Sequence, residues 1–433
     1  MSFDIHLDFP PKGLENDDCV ANVRIAAHGH LLTQILEMRY HRYRDSFRAS
    51  VVSLAFWFAD NWWRLRYEPL GAPSLATIDW RLRHEMSSGS ADELWPSIMI
   101  YGGGPRVMLA STLGTPRDEP GIRYLPWQPL SMLGKEYEDG VDALFEQVLG
   151  NCARYVDAEA FKVLIGQLDI ERKDEALAGW RRLEACLGFD PDKAPDRVVE
   201  AMTAYEEQLG AESVEEAAIA APGQSAPATL QTVLAAAGAS NIEIDLSLIA
   251  KTAAEIDDPY GQTPWRAAED AAMALRDALA LPDIIKNDTL GGLLQTRWSD
   301  LKAATATARD LPYAVRVPST HDRSHVALKM VPQVDRRFEL ARIIGDSLWT
   351  RGGGLGVVSR ARSDRQKYQR AFAQALLCPM RSLAKMIDLD NPTEAQIDHA
   401  ARRHNVRDKV IETILVNRGI LVRDDYNDQL EAA

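Results

Sequence analysis

The sequence predicts an α+β protein, and three patterns in its 433 residues carry that reading. Phe3–Phe9 alternates apolar and polar residues as a half-buried strand does, and two more strand-like runs flank the turn Gly102-Gly103-Gly104-Pro105. A long stretch, Glu136 to Ala218, carries helical patterning with no strand signal. The last third sets short alternating strands among apolar helices. At about 150 residues per domain the length implies about three domains, or two with a large insertion. We expect a mixed α/β N-terminal domain of unknown type at 1–150, a helical segment and linker at 151–225, and a third domain with C-terminal helices at 226–433. The linker is placed at Ile219–Thr229, where small residues surround two prolines and a glycine.

Taken in order, Phe3–Phe9 is the first strand. Residues from about His28 to Trp63, rich in Leu, Arg and aromatics, are expected to be helical. Trp95–Tyr101 and Arg106–Thr112 form a hairpin. In the middle region Val141–Phe145 opens a helix and Ala176–Leu187 continues the pattern. In the third region Thr263 suits an N-cap and Pro264 the first helical position. That helix runs to about Leu281 and stops at Pro282. Tyr313–Val317 and His325–Val331 are strands. Arg337–Asp346 is an apolar helix, Gly352–Gly356 a loop, and Gln366–Cys378 a second helix stopped by Pro379. Thr393–Asn417 is helix, turn at Asn405-Val406, helix.

Composition narrows the function classes. Hydrophobic residues make up 46% and charged residues 26%, which excludes a disordered, collagenous or disulfide-miniprotein chain. Lys and Arg number 49 against 63 Asp and Glu, a net charge of −14, so the protein does not coat nucleic acid over its whole surface. Four cysteines, Cys19, Cys152, Cys186 and Cys378, show no CxxC spacing; this fits a reducing compartment and offers no thiolate metal site. The N-terminal residues lack the pattern of a secretory leader, and the longest apolar run, Val51–Ala59, is far too short to span a bilayer. The expectation is a cytoplasmic protein with no membrane partner. Charge is uneven, however. Glu200–Asp258 holds eleven acids and one lysine, whereas Arg336–Arg381 holds ten Lys or Arg and three acids, a local +7.

The third region resembles the ImmA/IrrE family of small zinc metallopeptidases. Ala271–Leu281 with Pro282 matches the family's opening helix, and Arg337-Phe338-Glu339-Leu340-Ala341 with Gly345 matches its active helix. Ala371-Phe372-Ala373 and Leu376-Leu377-Cys378-Pro379 match the helix that follows. Glu394 through Leu421 looks like the closing helical segment, so the resemblance covers about 262–421. It implies a zincin-like fold in which two histidines one helical turn apart and a later glutamate hold zinc. Here Arg342 stands at the first histidine position, Ile343 at the glutamate, Asp346 at the second histidine, and Gln366 or a neighbour at the third ligand. A fixed cation repels Zn²⁺ and isoleucine accepts no proton, so the HExxH chemistry is lost and the domain reads as a pseudopeptidase.

Other groupings carry weaker chemistry. His321 and His325 are four apart but sit in a loop between strands, and they remain the weak alternative for zinc. His28 and His30 read as surface or structural histidines, and His84, with no second histidine at the required spacing, is unassigned. Neither glycine loop is followed by Lys-Ser/Thr, so neither is a phosphate loop. Trp57, Trp62, Trp63 and Trp80 interleave with Arg64, Arg66, Arg81 and Arg83, a pattern open to a core, a protein interface or a single-strand nucleic-acid surface. Thr393–Asn417 is compatible with a helix-turn-helix.

These readings combine into an expected non-catalytic regulatory or defence-related protein without a cofactor. Its former cleft, lined by Arg342, Arg360, Arg362, Arg365 and Arg370, would bind an anionic protein or nucleic acid. The regulatory or defence role is what the family resemblance implies. The alternatives are a divergent zinc metallopeptidase that cleaves a transcriptional repressor, and a nucleic-acid-binding regulator.

Overall fold

The computed structural model describes residues 2–10, 19–70, 78–90, 92–111, 121–154, 156–240, 242–253, 262–303, 310–320, 322–330, 332–351 and 353–421. Thr112, His321, Val331 and Gly352, each named above, lie outside them. The described chain is α+β and divides into two compact units at Ala194 and Pro195.

The first unit opens with β1 (Phe3–Asp8) and β2 (Val20–Ala27), paired antiparallel from Phe3 opposite Ala27 to Asp8 opposite Asn22. Period-two burial sends Phe3, Ile5 and Leu7 inward from β1, and Ala21, Val23 and Ile25 from β2. Then come β3 (His30–Leu31), β4 (Ile35–Glu37), β5 (Arg42–Arg44) and β6 (Phe47–Ser50). The expected helix over His28–Trp63 therefore begins only at Val51. His28 and Gly29 take positive φ and turn the chain, and Phe47 and Ala49 point inward while Arg48 points out, a strand's alternation. Ser50 then caps α1 (Val51–Asp60) by accepting from the Ser53 amide. Next are α2 (Trp62–Tyr67), α3 (Ile78–His84), the hairpin β7 (Ile98–Gly102) and β8 (Arg106–Ser111), β9 (Ile122–Tyr124) and β10 (Leu130–Leu133). Helices α4 (Gly134–Asn151), α5 (Val156–Lys173) and α6 (Glu175–Cys186) complete the unit. Its strands form three small sheets, ordered β1-β2-β3 with β6 on β2, β10-β8-β7, and β5-β4-β9. A disulfide joins Cys19, just before β2, to Cys152, just after α4. Pairing across 133 residues is invisible to spacing rules, and it departs from the expected reducing pattern.

The Trp/Arg block is core rather than a surface. Trp57, Trp62, Trp63 and Trp80 are buried, and Trp63 and Trp62 meet edge to face. The interleaved arginines turn to acids of the same unit: Arg64 to Asp190 and Glu68, Arg66 to Glu138, Arg81 to Glu85 and Arg83 to Asp190. The expected interface through these four tryptophans is thus corrected, because buried indoles are not available to a partner. His84, fully buried, donates through Nδ1 to Ile100 O at 2.7 Å, sets Nε2 3.2 Å from Glu68 Oε2 and stacks on Trp80, a structural role.

The second unit begins with α7 (Asp196–Leu209), α8 (Ala211–Ala220) and α9 (Ala226–Ala239). The small-residue stretch Ile219–Thr229 spans the turn between α8 and α9, inside this unit. Small residues make that stretch look like a linker, yet Ala226 within it is buried, as are Ala217, Ala218 and Leu230 on the flanking helices. After β11 (Glu243–Asp245) and α10 (Ser247–Ala253), α11 (Pro264–Ala278) starts at Thr263 and Pro264 as expected. Helices α12 (Asn287–Leu293) and α13 (Trp298–Ala303) precede β12 (Ala314–Pro318) and β13 (Arg323–Ala327). Helix α14 (Gln333–Trp349), β14 (Gly356–Val358), α15 (Asp364–Leu377), α16 (Met380–Leu383), α17 (Glu394–His404) and α18 (Asp408–Asn417) follow. The strands form an antiparallel sheet ordered β11-β13-β12-β14.

Helices α11, α14 and α15 build the core through Ala268, Ala271, Leu275, Leu340, Ile344, Phe372 and Leu376, all fully buried. At their crossing a Cβ on Gly345 would lie 2.9 Å from the Phe372 ring, so only glycine lets α14 and α15 approach this closely. Arg337, also fully buried, donates to Ile285 O at 2.6 Å, Asn287 Oδ1 at 2.7 Å, Asn405 O at 3.2 Å and His404 O at 3.4 Å. Helix α17 starts in a Thr393–Gln396 capping box and ends at Asn405 with φ +55.

Candidate functional site

The residues that the resemblance sets at ligand positions do come together. Arg342 and Asp346 are one turn apart on α14, which puts both on the face turned toward α15 and β14. From α15, Arg365, Gln366 and Gln369 present a matching face. Asp346 is fully buried. It accepts from Arg365 Nε at 2.7 Å, Arg365 Nη2 at 3.1 Å and Gln369 Nε2 at 2.6 Å, and Arg316 Nη2 stands 3.7 Å away. Arg342 Nη2 donates to Ser359 O at 2.8 Å, to Gln369 Oε1 at 3.1 Å and to Gln366 Oε1. Both glutamine amides also donate to Val357 O at 2.8 Å, which locks α15 to β14. Ile343 is fully buried in the apolar core.

This donor set does not fit zinc. A guanidinium and two amides occupy the places of imidazole and carboxylate, and the lone carboxylate is already saturated by Arg365 and Gln369. Among the described residues no group of three or more His, Cys, Asp and Glu side chains stands together to hold a metal ion. His325 lies on β13 opposite Glu243 and Val317, half-buried, and its distant partner His321 lies outside the described residues.

The cleft arginines separate into two groups. Arg365 was expected to face a partner. Instead it is 2% exposed, bound to Asp346 and to Leu355 O at 2.7 Å, so it is structural. Burial opposes its charge, but the Asp346 carboxylate outweighs burial and holds its pKa above the ordinary arginine value. Arg342 is half-buried and its hydrogen-bonded end is spent on the glutamines. Burial lowers its pKa to about 10, and its Nε is a buried donor with no protein acceptor. Arg370, half-buried, donates through Nη1 to Ala361 O at 2.8 Å. Burial, then repulsion from Arg342 and Arg362, lowers its pKa to about 9. Arg362 is 9% exposed and Arg360 is exposed. The acid that acts on Arg370 is Glu216 of α8, which accepts from Ser363 Oγ and whose own pKa is raised by burial. Arginine stays charged at neutral pH. Arg342 lies in the field of Glu339, Glu216 and Asp346, whereas Glu216 is the acid that offsets the repulsion on Arg370.

Sequence reasoning missed Glu339 and Glu216. Glu339 is 4% exposed one turn before Arg342, and its carboxylate accepts from the Lys329 and Met330 amides, both at 3.1 Å. Burial raises its pKa to about 7 against these amides and the charges of Arg342 and Arg336. An acid whose folded pKa is raised stabilises the fold fully below its ordinary value of 4.5, and this contribution is lost as pH rises through about 7. We expect wild-type stability of the second unit to fall across that window and Glu339→Gln to flatten the fall. Urea midpoints measured at intervals from mildly acidic to neutral pH check this; identical profiles would refute it.

No family model, curated protein or solved structure matches the chain. No helix among the described residues is long and apolar enough to cross a membrane.

Proposed function

We propose that this chain is a non-catalytic binding protein whose second unit is a zincin-like domain that exchanged metal for an arginine-centred network. One observation supports the reading above others. The i, i+4 pair Arg342 and Asp346 converges with Gln366 of α15, the arrangement the family resemblance requires of its ligand positions, and the side chains there bind one another instead of zinc. The partner we assign is an acidic protein segment that lies against Arg360 and Arg370 beside Arg342; Arg362, expected on the same face, is buried and is left out of it. A regulatory or defence role, and a cytoplasmic setting, follow from the resemblance and the sequence. The Cys19–Cys152 disulfide pulls against that setting, since such bonds are uncommon in reducing compartments.

Two measurements test the proposal. Elemental analysis of untagged protein is expected to find far less than one zinc per chain; near-stoichiometric zinc would overturn it and move attention to His321 and His325. A fluorescein-labelled polyglutamate peptide is expected to bind, and Arg370→Glu to weaken it about tenfold, a typical loss when one partner of a charge pair is reversed. Equal affinity in the variant would count against this face.

A further inference from the structure

The aromatic–arginine pattern that proved to be core at residues 57–83 recurs nearby in the opposite setting. Residues 39–44 read Arg-Tyr-His-Arg-Tyr-Arg, with no acid and no aliphatic residue. They make the turn and second strand of the β4–β5 hairpin, and all six are exposed. Tyr40 is 69% and Tyr43 61% exposed, among the most exposed large side chains described.

The geometry presents these side chains on a fixed support. Tyr40 N bonds Glu37 O at 3.2 Å and Met38 N bonds Gly121 O at 3.0 Å, and His41 takes φ +48 to close the turn. The Arg39 guanidinium lies 5.6 Å from the centre of the Tyr40 ring. Strand β5 is the edge of the sheet β5-β4-β9, and Tyr43, Leu36 and Arg123 stand in one row across its three strands. The tyrosine and arginine ends of that row are two strand spacings, about 10 Å, apart. Glu37 neutralises Arg44 at 2.9 Å. Arg39, Arg42 and Arg123 have no carboxylate partner among the described residues, in a chain of net charge −14.

We infer that this hairpin is a binding surface for single-stranded nucleic acid. Tyr40 and Tyr43 stack on bases, while Arg39 and Arg123, the latter in the Tyr43 row, neutralise flanking phosphates; strand alternation puts Arg42 on the opposite face, beside Glu37. Every base has a π-face and every nucleotide a phosphate, so alternating ring and guanidinium suit an unpaired strand of any sequence. A duplex hides its base faces, and an acidic peptide gives the tyrosines nothing to stack on. The inference concerns the first unit and does not rest on the function proposed for the second.

Fluorescence anisotropy of a labelled oligothymidylate with the full chain tests it. Binding is expected at low salt, with duplex DNA and polyglutamate competing poorly. Tyr40→Ala with Tyr43→Ala should weaken binding about tenfold or more, whereas Tyr→Phe at both positions should keep it, because the ring and not the hydroxyl stacks. Arg39→Ser with Arg123→Ser should flatten the slope of log affinity against log salt by about 1.4, two phosphates at about 0.7 each. All four side chains are exposed, and circular dichroism will show that the variants fold. Absence of binding, affinity unchanged by the Tyr→Ala pair, or equal competition by polyglutamate would each overturn the inference. The last would mark the hairpin as a protein contact.

Discussion

Asp346→Ala is expected to cost the second unit about 3–5 kcal/mol, the usual loss when one partner of a buried ion pair is removed. The size follows from what the substitution strands. Arg365 is 2% exposed and draws two of its hydrogen bonds from Asp346, while Arg316, 1% exposed, stands 3.7 Å from the same carboxylate and already has its pKa lowered by burial. Without Asp346 two guanidiniums face each other in a dry interior, and Gln369 Nε2 loses an acceptor at 2.6 Å. The pair is not thereby a source of net stability, since desolvation offsets much of its attraction. Asp346→Leu with Arg365→Met should therefore recover a large part of the loss. Urea unfolding of the three proteins decides the matter, and a single variant within about 1 kcal/mol of wild type would show that the charges are not coupled as described.

The second large effect concerns the first unit. Cys19 and Cys152 close a loop of 133 residues, for which the chain-entropy account gives about 5 kcal/mol at room temperature. Cys19→Ser with Cys152→Ser, or addition of a reductant to wild type, should destabilise this unit by a comparable amount and leave the second unit unchanged. A thiol count in denatured, unreduced protein should find two reactive groups, Cys186 and Cys378, both free and buried in the fold. Four reactive thiols, or equal stability with and without reductant, would dissociate the fold from the bond and favour the reducing compartment inferred from cysteine spacing.

Much of the architecture was legible because local patterns and tertiary packing agree. The Thr263-Pro264 start of α11, the β7–β8 hairpin and the α17–α18 pair all appear where turn and cap chemistry put them. Residues 30–50 were misread because Leu, Arg and aromatics favour helix and strand alike. The deciding signal was the alternation over Phe47–Ser50 together with the His28-Gly29 turn. The compact units divide at Ala194–Pro195 and not in the small-residue stretch, because alanine-rich segments look alike whether they link domains or pack as small-residue helices. In the site, i, i+4 spacing was enough to bring Arg342 and Asp346 together. That Arg365 turns inward to Asp346, and that Glu216 arrives from a helix about 150 residues earlier in the chain, depends on tertiary contacts with no local signature.

Arg337 has a consequence for the closing helices. Its fully buried guanidinium joins the segment at 285–287 to the carbonyls that end α17. Those carbonyls would otherwise be the groups from which a terminal helix frays. The closing segment is therefore not an appendage that swings out to probe a partner while the rest stands still. It melts and forms together with the interior of its unit as a single cooperative foldon.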